Sequence, residues 1–141
     1  MFGKLKELYA KNKEIILYLI FGVGTTAVDW TIRFIFLRDN MPMPLVHTID
    51  AAAWVSAVAF AYITNRIFVF ESKTKGFLGV LSEIVKFAGS RVVTFIIQEI
   101  IVALIYNLIP PMAVIVISSV VVVILNYILS KLIVFRKGNK Q

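Results

Sequence analysis

The chain has 141 residues, 60% of them hydrophobic and only 16% charged, and carries a net charge of +7. Soluble domains run nearer roughly 45–50% apolar and 25% charged, so a chain this short has no interior large enough for the excess and a bilayer must serve as its solvent. The absence of cysteine excludes disulfides, thiolate metal sites and cysteine nucleophiles, and the single His47 reads as an interfacial polar residue, because zinc takes about four ligands.

In chain order, Phe2, Leu5, Leu8 and Tyr9 fall at helical spacing among Lys4, Lys6, Lys11 and Lys13. That pattern predicts a short amphipathic helix lying on the membrane surface. The apolar run after it is too long for a signal peptide and lacks a small-residue cleavage site. Four stretches, about 15–37, 48–70, 84–106 and 112–135, approach the roughly 20 residues needed to cross ~30 Å of hydrocarbon. Helices are expected in each, since open strands leave their backbone groups unsatisfied in lipid. The breaks are a turn at 38–44 holding Pro42 and Pro44, a polar segment at 71–76, and a turn at 107–111 ending in Pro110 and Pro111. Phe77, Leu78, Val80, Leu81 and Ile84 predict a second interfacial helix before the third span.

Bases cluster before the first span, around the middle segment (Arg66, Lys73, Lys75, Lys86) and at the end (Lys131, Arg136, Lys137, Lys140). The turn after the first span holds only Arg38, and the turn after the third holds no base. The positive-inside rule therefore puts both termini and the central segment in the cytoplasm. The charge is explained by orientation and anionic lipid rather than by nucleic acid.

The run Tyr62-Ile63-Thr64-Asn65-Arg66-Ile67-Phe68-Val69-Phe70 returns about 65 residues later as Tyr127-Ile128-Leu129-Ser130-Lys131-Leu132-Ile133-Val134-Phe135. Phe21-Gly22-Val23-Gly24 is echoed by Phe87-Ala88-Gly89-Ser90, with the small residues that let helices approach closely in lipid. The expected fold is an all-α membrane protein: a single transmembrane domain of four helices, arranged as two helical hairpins, about 1–72 and 73–141. Each copy has two spans, so the repeats should be parallel rather than inverted.

Polar residues within spans are the candidate site, because each costs free energy unless it is paired or faces the bundle interior. Asp29 and Arg33, spaced i,i+4, form either a structural ion pair or a charged lining for a polar head group. Arg91 lies about one turn past Phe87 in the third span, where it either snorkels to the surface or binds phosphate. Gln98 and Glu99 lie two turns deeper, with Glu99 neutral or paired to Arg33. Asn65 and Arg66, with Asn126 and Lys131, close the second and fourth spans and could join Arg91 in a ring of cations and amides. The sequence holds no nucleophile–base pair, metal cluster or phosphate-binding Gly-rich loop, so neither an enzyme, a metal nor a cofactor is expected.

These features resemble the GtrA-like family of small four-span membrane proteins. The resemblance rests on Phe21, Gly24 and Asp29 in the first span and on Ala61-Tyr62, Asn65-Arg66 and Val69-Phe70 closing the second. Lys86-Phe87 and Arg91 opening the third span, and Asn126-Tyr127, Ser130-Lys131 and Val134-Phe135 closing the fourth, complete it. It covers nearly the whole chain and implies a role in polysaccharide or teichoic acid glycosylation. Family members are thought to help move a monosaccharide on undecaprenyl or another polyprenyl phosphate between leaflets of the bacterial cytoplasmic membrane, where a separate glycosyltransferase uses it. On that analogy Asn65, Phe70, Phe87, Arg91 and Asn126 matter most, while Ser130-Lys131 in place of Asn65-Arg66 argues against a strictly symmetric site. The leading expectation is thus a flippase for lipid-linked sugars, completed by a homo-oligomer or a partner. The alternatives are an accessory subunit that anchors a glycosyltransferase, and a small proton-coupled exporter using Asp29, against which the strong charge bias argues.

Overall fold

The computed structural model describes residues 2–136; Lys137 and Lys140 lie outside the described residues. Four helices are long and apolar enough to cross a membrane: α1 (Phe2–Phe36), α2 (Met43–Thr64), α3 (Phe77–Ile105) and α4 (Pro111–Leu129). α2 and α4 each continue into a π-helical turn, Asn65–Val69 and Ser130–Val134. Every element among the described residues is helical, and the protein is a multi-pass membrane protein. The chain divides into two compact units, the first ending at Glu71 and the second starting at Ser72.

In the first unit α1 packs against α2 and against the π turn that follows it. α1 is kinked at Asn12, where the backbone leaves helical geometry (φ −114°, ψ 15°). The Asn12 side chain donates to the Leu8 carbonyl at 3.1 Å, the local competition with the helical ladder that makes asparagine a poor residue inside helices. The kink separates the lysine-rich segment from the span. α3, in contrast, is a single helix of 29 residues, roughly 43 Å long at 1.5 Å per residue. The stretch that the sequence sets apart before the third span forms its first turns.

Both α2 and α4 are preceded by a proline, Pro42 and Pro110. The carbonyl of Pro42 accepts the N–H groups of Leu45 and Val46, and that of Pro110 accepts those of Ala113 and Val114. Pro44 and Pro111 occupy the first turns, where a missing N–H costs nothing. α3 is preceded by Gly76, whose φ of 83° favours glycine.

The packing is inverted relative to a soluble protein. Val23, Trp30 and Phe34 point outward, Phe34 at 86% exposure, while the buried side of α2 is Ala53, Ala57 and Ala61. Small residues at i,i+4 spacing let two backbones close in where lipid removes any hydrophobic force between helices. α1 answers with Gly24, at which an added Cβ would lie 3.0 Å from the Phe60 ring. In the second unit α3 packs on α4 and on its π turn, and the buried row of α4 and that turn is more polar: Val114, Ser118, Asn126 and Ser130.

Candidate functional site

The π turns arise where the ladder at the end of each second helix widens by one residue. Phe70 N–H donates to the Asn65 carbonyl at 2.9 Å, and Phe135 N–H donates to the Ser130 carbonyl at 2.8 Å. Such turns are rare and recur at functional sites. Each one drives a terminal phenylalanine inward. Phe70 meets Tyr18 of α1 with ring centroids 6.5 Å apart, and Phe68 stacks on Phe21 at 5.3 Å. In unit two Phe135 meets Phe87 at 5.9 Å. The aromatic positions Phe70 and Phe87 are both buried.

Asn65 and Ser130 open the two turns and are buried, at 3% and 0% exposure. Among the described residues, Asn65 Oδ1 and Ser130 Oγ are the buried side-chain polar atoms without a hydrogen-bond partner. Arg66, next to Asn65, is half-buried. The Arg91 guanidinium lies 4.6 Å from the centroid of the Phe87 ring, a cation–π contact that holds the cation beside a fixed aromatic face. Lys131 is exposed; its Nζ donates to the Tyr127 hydroxyl at 3.1 Å and sits over that ring. Asn126 is buried and accepts a hydrogen bond from Thr94 Oγ1 at 2.8 Å. Its carbonyl is therefore occupied within unit two. Gln98 is half-buried and Glu99 exposed.

The other polar cluster is in unit one, toward the turn between α1 and α2. Arg33 Nε donates to Asp29 at 2.8 Å, and a second guanidinium nitrogen donates to Asp50 of α2. Both counter-charges that the structure gives Arg33, Asp29 and Asp50, belong to its own unit. Asp50 escaped the sequence reading. It lies about as far after the turn holding Pro42 as Arg33 lies before it, so counting outward from the turn along two antiparallel helices pairs them.

Two more polar residues were missed. Thr94 is buried against Asn126. Glu83 is buried near the start of α3, where Ser72 donates to it at 2.7 Å; it reads in the sequence as an ordinary residue of an interfacial helix.

Two apolar helical hairpins with polar groups gathered along their helices define a small multi-pass membrane domain. The chain belongs to the GtrA/DPMS transmembrane-domain family, whose pattern it matches over residues 17–135. It is 31% identical over 129 residues to the cell wall teichoic acid glycosylation protein GtcA of Listeria monocytogenes serovar 1/2a, covering 87% of this chain and 85% of the relative. The protein of the same name from Listeria innocua serovar 6a is 34% identical over 127 residues, with the same shares covered. The uncharacterized membrane protein YwcD of Bacillus subtilis is 35% identical over 128 residues, covering 89% of this chain and 98% of YwcD. No solved structure matches the chain.

Proposed function

We propose that this protein moves a monosaccharide linked to undecaprenyl or another polyprenyl phosphate across the bacterial cytoplasmic membrane, for glycosylation of teichoic acid or a related cell-surface polymer. The observation that carries the reading is Arg91. A guanidinium midway along an apolar spanning helix is costly unless it has work there, and the buried Phe87 ring fixes this one in place. The fork of arginine is always charged and matches phosphate oxygens. Support for the polymer comes from the relatives named for cell wall teichoic acid glycosylation.

In this reading both termini and the central segment face the cytoplasm, and the lysine-rich segment before the Asn12 kink lies on the inner leaflet. The lipid phosphate binds there, near Arg91 in unit two, and Asn65 and Arg66 are the candidate head-group contacts of unit one. Asp29, Arg33, Gln98 and Glu99 offer the sugar polar contacts during passage. The protein performs no covalent chemistry and needs no cofactor. A polyprenyl-phosphate glycosyltransferase works in the same pathway, and a second copy or a partner completes a path that four helices are too few to enclose.

The test is a protection assay in proteoliposomes holding a fluorescent polyprenyl-phosphate sugar. Wild-type protein should equilibrate the lipid between leaflets. Arg91→Ala should slow this at least tenfold, and Arg91→Lys should retain part of it. Flipping unchanged in Arg91→Ala would refute the phosphate role. A wild-type protein that flips nothing, yet co-purifies with a glycosyltransferase, would establish the accessory-subunit alternative instead.

A further inference from the structure

Unit two carries two ties between its antiparallel helices. Phe87 meets Phe135 at one level, and Thr94 bonds to Asn126 about two turns away. On α3, Arg91 lies between Phe87 and Thr94, one turn from each. On the facing helix and its π turn, Ser130 lies between Asn126 and Phe135 in sequence. The level bracketed by the two ties therefore includes the cation of Arg91 from α3 and the hydroxyl of Ser130 from the π turn.

That hydroxyl is the most enclosed polar group in the unit. Ser130 is 0% exposed, and its Oγ has no hydrogen-bond partner among the described residues. A buried hydroxyl left unpaired is a cost that folding alone does not justify, and alanine would remove it with little loss of volume. The residue also opens a π turn, where the ladder is already widened. Lys131, the charged neighbour, points elsewhere: it is exposed and engaged with Tyr127.

We propose that Ser130 and Arg91 form an anion site within unit two that takes the phosphate of the lipid carrier, with Ser130 Oγ–H donating to a phosphoryl oxygen and Arg91 supplying the charge. Oγ is reached by loosening of the last turn of α4, and phosphate binding satisfies a donor that is otherwise unpaired. The proposal rests on the function proposed above and deepens it: unit two contributes an oriented hydroxyl, where its sequence offers Lys131 as the obvious ligand.

The experiment uses the full chain in nanodiscs, with polyprenyl phosphate lacking any sugar as the probe and the corresponding polyprenol as the uncharged control. Affinity and melting temperature are both measured. Wild type should bind the phosphate form in preference to the alcohol. Ser130→Ala should lose about tenfold in affinity for the phosphate form, the worth of one hydrogen bond to a charged group, while melting at or above the wild-type temperature. Ser130→Thr should recover much of the affinity, and Ser119→Ala, on the exposed side of α4, should match wild type. Wild-type affinity in Ser130→Ala overturns this assignment and leaves the flippase reading standing. A lowered melting temperature in Ser130→Ala also overturns it, marking the hydroxyl as a packing group. Failure of the wild type to prefer the phosphate form overturns both.

Discussion

The Thr94 hydroxyl donates to Asn126 Oδ1 at 2.8 Å, joining two buried side chains on the two helices of unit two. Thr94→Val keeps the shape of the side chain and removes the donor, leaving a carbonyl oxygen buried and unpaired. The expected loss is about 1–2 kcal/mol, read as a lower melting temperature of the purified protein. Thr94→Ser should melt close to wild type. Adding Asn126→Leu to Thr94→Val should restore part of the loss, because the orphaned acceptor is then gone. A Thr94→Val protein as stable as wild type would show that the bond contributes nothing net.

Gly24 sets how closely α1 and α2 approach. A Cβ there would stand 3.0 Å from Phe60 Cε1 and 3.3 Å from Cζ, so Gly24→Val must displace the ring or part the helices. Overpacking of this kind costs about 1–3 kcal/mol. Phe60→Ala should partly rescue Gly24→Val in melting experiments, although it is destabilising alone. Gly22, with open space around its would-be Cβ, should accept alanine with no such loss.

Much of this arrangement is legible in the sequence, and the parts that are not share a cause. The four spans read clearly because hydrophobic length is a strong signal, and Pro42, Pro44, Pro110 and Pro111 mark two of the helix starts. The paired Tyr-Ile and Val-Phe phrases draw attention to both helix ends, yet nothing in residues 65–69 or 130–134 announces a π turn. That geometry follows from where Phe70 and Phe135 pack, against Tyr18 and Phe87, and so from contacts distant in sequence. Asp50 and Thr94 were missed for the same reason: each acquires meaning only from a partner on another helix. Asn126 and Lys131 were legible as polar residues near the end of a span, but their engagement with Thr94 and Tyr127 was not.

Arg33 stands between two carboxylates, Asp29 on its own helix and Asp50 on the next. Asp50→Asn leaves an intact Arg33–Asp29 pair and should cost little, about 1 kcal/mol or less at these partly exposed side chains. Arg33→Gln is the more harmful change, since it leaves two like charges together without a counter-ion. The order of melting temperatures should be wild type, then Asp50→Asn, then Arg33→Gln. Replacing both aspartates by asparagine in the Arg33→Gln background should raise the melting temperature again. The reverse order would mean that the guanidinium, rather than the carboxylates, is the group the fold struggles to accommodate.

Orientation is open to a direct test, because the chain contains no cysteine and any introduced thiol is unique. The distribution of Lys and Arg predicts Lys73 on the cytoplasmic side, with Asp39 and Asn107 on the outer side. In intact spheroplasts a membrane-impermeant maleimide should label Asp39→Cys and Asn107→Cys, and should label Lys73→Cys only after permeabilisation. All three positions are exposed, so reagent access depends on the side of the membrane. The same experiment bears on function. Arg91 stands midway along α3 and about two turns into the apolar stretch 84–106, so labelling of Lys73→Cys from outside would reverse that helix in the membrane and remove the proposed cytoplasmic entry for the lipid phosphate. Equal labelling of all three in intact cells would indicate insertion both ways round, the behaviour expected of a small exporter rather than of a carrier loading from one leaflet.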